Sequence, residues 1–120
     1  MTDIQISMRQ VGDIVVLDMT GRLVLEEGVL PFRQQIEDLV KQGRLKFLLN
    51  LQNVTYIDSA GVGMMVAKYL SVRRKGGDIK LLHLTRRTQR VMSITKLMKV
   101  FDVFDEEADA LRSFSAAAPA

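Results

Sequence analysis

The sequence of 120 residues has no cysteine and a single histidine, His83. Without cysteine there is no disulfide framework and no thiolate chemistry, and the chain is compatible with a reducing compartment. One histidine, with no carboxylates clustered at ligand spacing, does not supply the set of side chains that a metal site needs. We therefore predict that the protein has neither a metal nor another cofactor.

Long apolar runs are also missing. The start of the chain, MTDIQISMRQ, has neither a basic leader nor an extended hydrophobic stretch. The sequence thus predicts no secretion signal and no membrane insertion, and we expect a cytoplasmic protein. With 48% apolar and 26% charged residues, the chain can form one compact core and is too short for two ordinary ones. We predict a single domain over residues 1–115 and a frayed tail over 116–120.

Positive charge is concentrated in one segment. Residues 71–99 contain nine basic residues and one acidic residue, whereas 100–120 contain one and five. A basic block is the usual footprint of phosphate or anionic-surface binding. Here the block lacks interleaved aromatic residues and any recognisable nucleic-acid module. The pattern favours the solvated faces of two helices, and we predict no direct binding of nucleic acid.

Apolar patterns predict nine elements in the order ββαβαβαβα. The strands IQISMRQV and IVVLDMTG are joined by a Gly-Asp turn, which predicts a hairpin at the start of the chain. Between Pro31 and Gly43 the apolar residues repeat at helical spacing, with proline suited to the first turn and glycine to the C-terminal cap. LKFLLNL is then a continuous apolar run, as expected for a strand covered on both faces.

The second half of the chain continues this alternation. A second helix is predicted from Ser59 to about Arg74, with an apolar stripe of Val62, Met65, Val66, Tyr69 and Leu70. DIKLLHL predicts another buried strand. A third helix has a predicted stripe of Val91, Ile94, Leu97 and Met98, opposite Arg86, Arg87 and Arg90. VFDVF predicts a short edge strand, and EEADALRSF predicts a last helix with acidic residues in its first turn.

This order predicts a fold of the α/β class. We expect a mixed β-sheet that opens with a hairpin, with helices packed against it through right-handed crossovers. In such sheets, binding sites form at the carboxyl ends of the strands. Asp58 and Ser59 fall at one of these ends, within the stretch YIDSAGVGMM.

The junction between this strand and the next helix, residues 58–63, combines a helix cap with two glycines, and we call it the corner. Asp58 or Ser59 alone could cap the orphan N–H groups at a helix start. Capping does not explain Gly61 and Gly63, each of which costs about 1 kcal/mol inside a helix relative to alanine. Glycines admit the close approach of another backbone or of a ligand, so we favour recognition at this corner over capping alone.

Catalytic interpretations of the corner do not fit its residues. A phosphate-binding loop needs lysine after its second glycine, where Met64 stands. A nucleophile elbow needs glycine two residues before the serine, where Ile57 stands. A catalytic triad would have to use His83, and a lone histidine on an apolar strand is more often structural. We therefore predict a binding protein and not an enzyme.

The sequence resembles the STAS domain of anti-sigma factor antagonists from about Ile4 to Phe114. The resemblance is carried by YIDSAGVG, by the strand LKFLLNL before it, by GGDIKLLHL after its helix, and by the Thr20-Gly21 pair. It implies a partner-switching role, in which the unmodified protein binds an anti-sigma factor that is also a serine kinase. Phosphorylation of Ser59 would end this binding, and a PP2C-type phosphatase would restore it. Many members have an acid where Val24 stands, which leaves Glu26 and Glu27 as substitutes.

The predicted partner-binding surface combines the corner with neighbouring segments. It consists of Thr20, Gly21, Glu26, Glu27, Asp58, Ser59, Gly61, Gly63, Met64 and Lys68. We expect Met64 and Lys68 on the exposed side of their helix, and the basic segment 71–99 outside this surface. The protein itself is expected to be a monomer or a weak dimer.

A second function is compatible with the same fold. The chain could be a STAS subunit or scaffold of a membrane transport or signalling complex, or a small-ligand-binding module. In that case the corner would dock a partner without a cycle of phosphorylation.

Overall fold

The computed structural model describes residues 4–25, 28–94, 96 and 99–116. The described elements follow the predicted order: β1 Ile4–Val11, β2 Ile14–Leu23, α1 Val29–Lys41, β3 Lys46–Ile57, α2 Ser59–Arg74, β4 Asp78–Leu82, α3 Arg86–Ile94, β5 Val103–Phe104 and α4 Glu107–Ala116. Of the predicted tail, only Ala116 belongs to the described part, where it ends α4. None of the described helices is long and apolar enough to cross a membrane.

The five described strands form one mixed sheet in the order β1-β2-β3-β4-β5. The hairpin of β1 and β2 is antiparallel, and the remaining neighbours are parallel. Val11 pairs with Ile14 around the two-residue turn, in which Gly12 has a φ of 61°. Glycine is favoured at this first central position because hairpin turns often require a positive φ there. The predicted fold class and the opening hairpin are confirmed.

The two faces of the sheet bury separate apolar clusters. On one face, α1, α2 and α3 cover the larger cluster, which includes Phe32, Leu49, Met65 and Met92. On the other face, α4 covers a smaller cluster, in which Phe114 packs with residues of β2, β3 and β4. β3 is thus covered on both faces over its first half, as its continuous apolar run predicts.

Helix α4 crosses the sheet along one row of neighbouring residues. Arg9, Val16, Leu48 and Lys80 are successive partners across β1 to β4. At the far end of the row, the Lys80 Nζ donates a hydrogen bond to the Ser113 hydroxyl at 2.8 Å. This nitrogen also lies 4.8 Å from the ring centroid of Phe114 and 5.8 Å from that of Phe104. These contacts compensate the burial of a lysine that is only 3% exposed.

At the near end of the row, Arg9 joins two carboxylates. Its guanidinium donates to Asp18 at 2.6 and 3.0 Å, and to Glu107 of α4 at 2.8 and 3.1 Å. These hydrogen bonds hold the pKa of the Asp18 carboxyl below its usual range, and Arg9 does the same for the pKa of Glu107. The N-terminus of α4 is therefore fixed to the hairpin by an ion pair.

The ion pairs of Arg9 predict a pH-dependent contribution to stability. Because both carboxyls have lowered pKa values in the folded state, their contribution is present above about pH 4, the usual pKa in an unfolded chain, and is lost on further acidification. Arg9→Met is expected to cost about 1 kcal/mol at neutral pH and to flatten the acid branch of the stability profile. Urea unfolding at a series of pH values measures both effects.

Arg112→Met is the matched control for this experiment. Arg112 also pairs with a carboxylate of α4, Asp109, but both side chains are exposed and belong to the same helix. Its removal leaves the docking of α4 on the sheet unchanged and should leave the pH profile unchanged. Equal effects of the two substitutions would contradict the role of Arg9 in fixing α4.

The bounds of several elements differ from the predicted ones. α1 begins at Val29, two residues before Pro31, and β3 continues through Ile57. β4 ends at Leu82, so the prediction that His83 lies within a buried strand is wrong. His83 has a φ of 59°, a left-handed conformation that ends the strand. The edge strand β5 is confirmed but covers only Val103 and Phe104.

The predicted stripes of α2 and α3 are partly wrong. In α2, Val62 and Met65 are buried, but Leu70 is 48% exposed. In α3, Ile94 is 74% exposed, and the buried residues are Thr88 and Met92. Burial of Thr88 is possible because its hydroxyl donates to the Thr85 carbonyl at 3.0 Å, which leaves no unsatisfied polar group. Leu97 and Met98 lie outside the described residues.

Candidate functional site

Asp58 connects the end of β3 to the start of α2. It is the N-cap residue, and its Oδ1 accepts a hydrogen bond from the Gly61 N–H at 2.8 Å. Its Oδ2 accepts from the Leu25 N–H at 3.1 Å. Both carboxylate oxygens thus bind backbone donors, one in α2 and one in the connection after β2. Asp58 is therefore the cap that fixes two segments of the site relative to each other.

Ser59 is the first residue of α2 and is exposed. Since Asp58 supplies the cap, the serine hydroxyl is not needed for that purpose. No residue in the described part of the chain accepts or donates a hydrogen bond at this hydroxyl. The prediction of an exposed serine at the start of a helix that ends at Arg74 is confirmed. The corner presents an accessible hydroxyl at the positive end of a helix dipole.

The two glycines of the corner have different surroundings. A Cβ on Gly61 would overlap the carbonyl oxygen of Leu23 and would lie 2.9 Å from the Ile57 Cγ2. A Cβ on Gly63 would meet nothing within 4 Å, and Gly63 is exposed. Gly61 is therefore required by the close approach of β2, one of the two reasons for glycine expected from the sequence. Nothing within the described chain requires glycine at position 63.

Thr20 and Gly21 lie toward the carboxyl end of β2, at the same end of the sheet as the corner. They pair with Asn53 and Val54 of β3, between two register shifts of the β2–β3 ladder. Gly21 has a φ of 114°, which other residues adopt only with strain, and its carbonyl accepts a hydrogen bond from the Thr55 hydroxyl at 3.3 Å. Thr20 is exposed, so its side chain is accessible at this edge.

Met64 and Lys68 are not on an exposed side of α2, so that prediction is wrong. Met64 is half-buried and packs against the larger cluster. The Lys68 side chain is only 14% exposed and donates to Glu37 of α1 at 2.9 Å. Together with Arg33, Lys68 lowers the pKa of Glu37 to about 2. Both residues therefore take part in the packing of α2, because α1 lies beside it.

The connection between β2 and α1 adds apolar residues that the sequence interpretation missed. Leu25 is 65% exposed and Leu30 is 61% exposed. They flank Glu26 and Glu27, which lie outside the described residues. The available signal was the pair of leucines in LEEGVL, neither of which belongs to the Phe32–Ile36 stripe of α1. Leu25 adjoins the corner, because its N–H binds Asp58 Oδ2.

One residue of the basic segment approaches the carboxyl end of β3. The Arg87 guanidinium lies 3.5 Å from the Thr55 carbonyl oxygen, four residues before Ser59. The other predicted arginines of this helix, Arg86 and Arg90, are exposed. Arg87 thus brings the basic segment to the end of β3. The segment therefore lies closer to Ser59 than the sequence predicts.

Comparison with known proteins identifies the family. The sequence model of the STAS domain family matches residues 5–110 of this chain. The anti-sigma-B factor antagonist of Bacillus subtilis is 33% identical over 101 residues, which cover 84% of this chain and 81% of that protein. The chain belongs to the STAS domain family of anti-sigma factor antagonists, whose members are regulators without enzymatic activity.

Solved structures show the same fold. An anti-sigma factor antagonist from Mycobacterium paratuberculosis superposes with a TM-score of 0.79, at 20% identity over 93% of this chain and 94% of that one. SpoIIAA, an anti-sigma factor antagonist of Bacillus, superposes in its unphosphorylated form with a TM-score of 0.80, at 20% identity over 96% of this chain and all of that one. SpoIIAA has also been solved in a phosphorylated form, with a TM-score of 0.71 to this chain, 21% identity, and coverage of 91% of this chain and 98% of that one.

Proposed function

We propose that the protein binds an anti-sigma factor with serine kinase activity, and that phosphorylation of Ser59 ends this binding. The observation that carries the proposal is the division of roles at the corner. Asp58 uses one carboxylate oxygen to cap α2 and the other to bind the Leu25 N–H, whereas the exposed Ser59 hydroxyl has no partner in the described chain. A hydroxyl that is accessible and not needed by the fold is suited to be a kinase substrate.

The local geometry allows a phosphate without a change of fold. A phosphoserine adds about 1.5 to 2 negative charges, and the N-terminus of a helix stabilises an anion. In the first turn of α2, the Gly61 N–H already binds Asp58 Oδ1 and the Val62 N–H binds the Asp58 carbonyl at 3.0 Å. The phosphate need not replace either bond. The effect of phosphorylation would therefore fall on the partner interface.

The proposed docking surface surrounds Ser59 at the junction of β3 and α2. We assign to it Thr20, Gly21, Ser59 and Gly63, together with Leu25, Leu30, Glu26 and Glu27. The exposed leucines supply apolar area, and the acidic pair supplies charge for a basic region of the partner. Asp58, Gly61, Met64 and Lys68 hold this surface in place from within the fold.

The proposed cycle has two further requirements. A PP2C-type phosphatase would regenerate the unmodified Ser59, and all components would share the cytoplasm. The relative from Bacillus subtilis, an antagonist of the anti-sigma-B factor, supports an anti-sigma factor as the partner. SpoIIAA, which exists in a phosphorylated form, supports covalent control in this family.

Intact-mass measurement tests the phosphorylation of Ser59. Protein purified from its own host is expected to contain a fraction heavier by one phosphate, which phosphatase treatment removes. Ser59→Ala should abolish this fraction, whereas Ser115→Ala, a change at another exposed serine, should not. Phosphate that persists in Ser59→Ala would assign the modification to another residue. Its absence under every growth condition would favour a scaffold that docks a partner without phosphorylation.

A further inference from the structure

Strand β1 forms an edge of the sheet with little protection against pairing. Among the described strands its only neighbour is β2. Its sequence, IQISMRQV, has no proline and no lysine, the residues that often block the edges of sheets. Its one charged residue, Arg9, is held by Asp18 and Glu107 of the same chain. Eight residues of unblocked strand are thus available to a further strand.

The hairpin determines which backbone groups of β1 point outward. Val11 and Ile14 close a two-residue turn and therefore exchange hydrogen bonds with each other. Along an antiparallel ladder such pairs alternate, so Gln5, Ser7 and Arg9 also bond to β2. The even-numbered residues of the strand, Ile4, Ile6, Met8 and Gln10, then direct their N–H and C=O groups away from β2.

We propose that two copies of the protein pair through β1, antiparallel and around a twofold axis at Ser7. In this register Ile4 lies opposite Gln10 of the second copy, and Ile6 lies opposite its Met8. All four outward residues are then paired, whereas a shift by two residues in either direction leaves one of them unpaired. The strand is therefore complementary to itself in a single best register.

Side chains on both faces agree with this register. Ile6 is half-buried and Met8 is 48% exposed, and each would cover the other across the new ladder. On the α4 face, Ser7 would meet Ser7 of the second copy, and Arg9 would lie opposite the neutral Gln5. No like charges are opposed. Because a single strand edge buries less than the roughly 800 Å² per partner of a standard interface, we expect a weak dimer that forms as concentration rises.

Disulfide crosslinking tests the register. The chain has no native cysteine, so Ser7→Cys and Gln5→Cys introduce one thiol each at exposed positions of the same strand face. In the proposed dimer the α-carbons of the two Ser7 residues lie about 4.5 Å apart, within the range of a disulfide. The two Gln5 residues are offset by four positions along the strands, or about 13 Å. At millimolar protein, Ser7→Cys should crosslink at least about tenfold faster than Gln5→Cys.

A proline substitution supplies a second, independent readout. Met8→Pro removes an outward N–H without touching the ladder to β2, and Met8→Leu is the control that keeps it. The sedimentation coefficient should rise with concentration for the native chain and for Met8→Leu, and stay monomeric for Met8→Pro. If Met8→Pro does not fold, the crosslinking rates of the two single-cysteine variants test the proposal by themselves. Equal crosslinking of the two cysteine variants, faster crosslinking of Gln5→Cys, or no crosslinking at millimolar protein would overturn the proposal.

Discussion

Gly61→Ala is expected to lower the free energy of unfolding by about 3 kcal/mol or more, near the upper end for an overpacked site. The added methyl group would overlap the Leu23 carbonyl oxygen, which is backbone and cannot rotate away. Relief requires α2 to move from β2. That movement would strain the hydrogen bonds that the Gly61 and Leu25 N–H groups donate to the Asp58 carboxylate. It would also stretch the bond that the Asp58 N–H donates to the Leu23 carbonyl at 3.3 Å.

Gly63→Ala is the matched control, and the opposite sign is expected. Position 63 is helical and exposed, and an added methyl group meets no atom within 4 Å. Alanine should then stabilise the protein by about 0.5 to 1 kcal/mol through its helix propensity. Urea unfolding of both variants, with unchanged m-values, measures the difference. Similar stabilities for the two variants would show that β2 does not approach α2 as closely as described.

Gly63→Ala also separates folding from recognition. Since nothing in the described chain explains glycine at this position, close approach by a partner is the remaining reason for it that the sequence suggests. A variant that is more stable and binds the anti-sigma factor less tightly would place position 63 in the interface.

The corner could be predicted from the sequence because its signals are local. An apolar run that changes to helical periodicity identifies the junction at Asp58, and capping chemistry explains why a short acidic side chain stands there. The sequence did not decide between Asp58 and Ser59 as the cap. That choice depends on Leu25, whose N–H binds the second carboxylate oxygen and which is distant along the chain.

Contacts between elements account for the wrong predictions. The prediction that Met64 and Lys68 lie on an exposed side of α2 is wrong because α1 lies beside that side and places Glu37 within 2.9 Å of Lys68. The spacing between Val91 and Ile94 predicts that Ile94 is buried, but α3 ends there and directs Thr88 and Met92 toward the core. The sequence of a short helix is compatible with several choices of buried face, so the neighbouring elements determine which face is buried.

Phosphorylation of Ser59 is expected to weaken binding to the anti-sigma factor by about a hundredfold, which corresponds to about 3 kcal/mol. The phosphate would lie beside the half-buried Asp58. Two backbone N–H groups hold the Asp58 carboxylate, so it stays next to the phosphate. Covering both negative groups with a partner surface that fits the neutral serine removes water from them, a cost that only an additional positive charge of the partner would offset. The penalty therefore arises in the complex and not in the free protein.

Three forms of the protein distinguish this mechanism from loss of the hydroxyl. Ser59→Ala should bind like the unmodified protein, Ser59→Asp should be weaker, and phosphorylated Ser59 should be weakest, because aspartate has less charge than phosphate. All three should unfold at similar urea concentrations, since the serine hydroxyl has no partner within the described chain. Titration calorimetry with the purified anti-sigma factor measures the affinities.

Salt dependence identifies where the charge acts. If the phosphate is buried against the partner, the ratio between the affinities of the unmodified and phosphorylated forms should change little between low and high salt, since buried charges are poorly screened. A ratio that falls toward one at high salt would mean that the phosphate stays in solvent and acts only by long-range repulsion. Equal affinities of all three forms would instead remove Ser59 from the interface and leave the corner as a docking site without a switch.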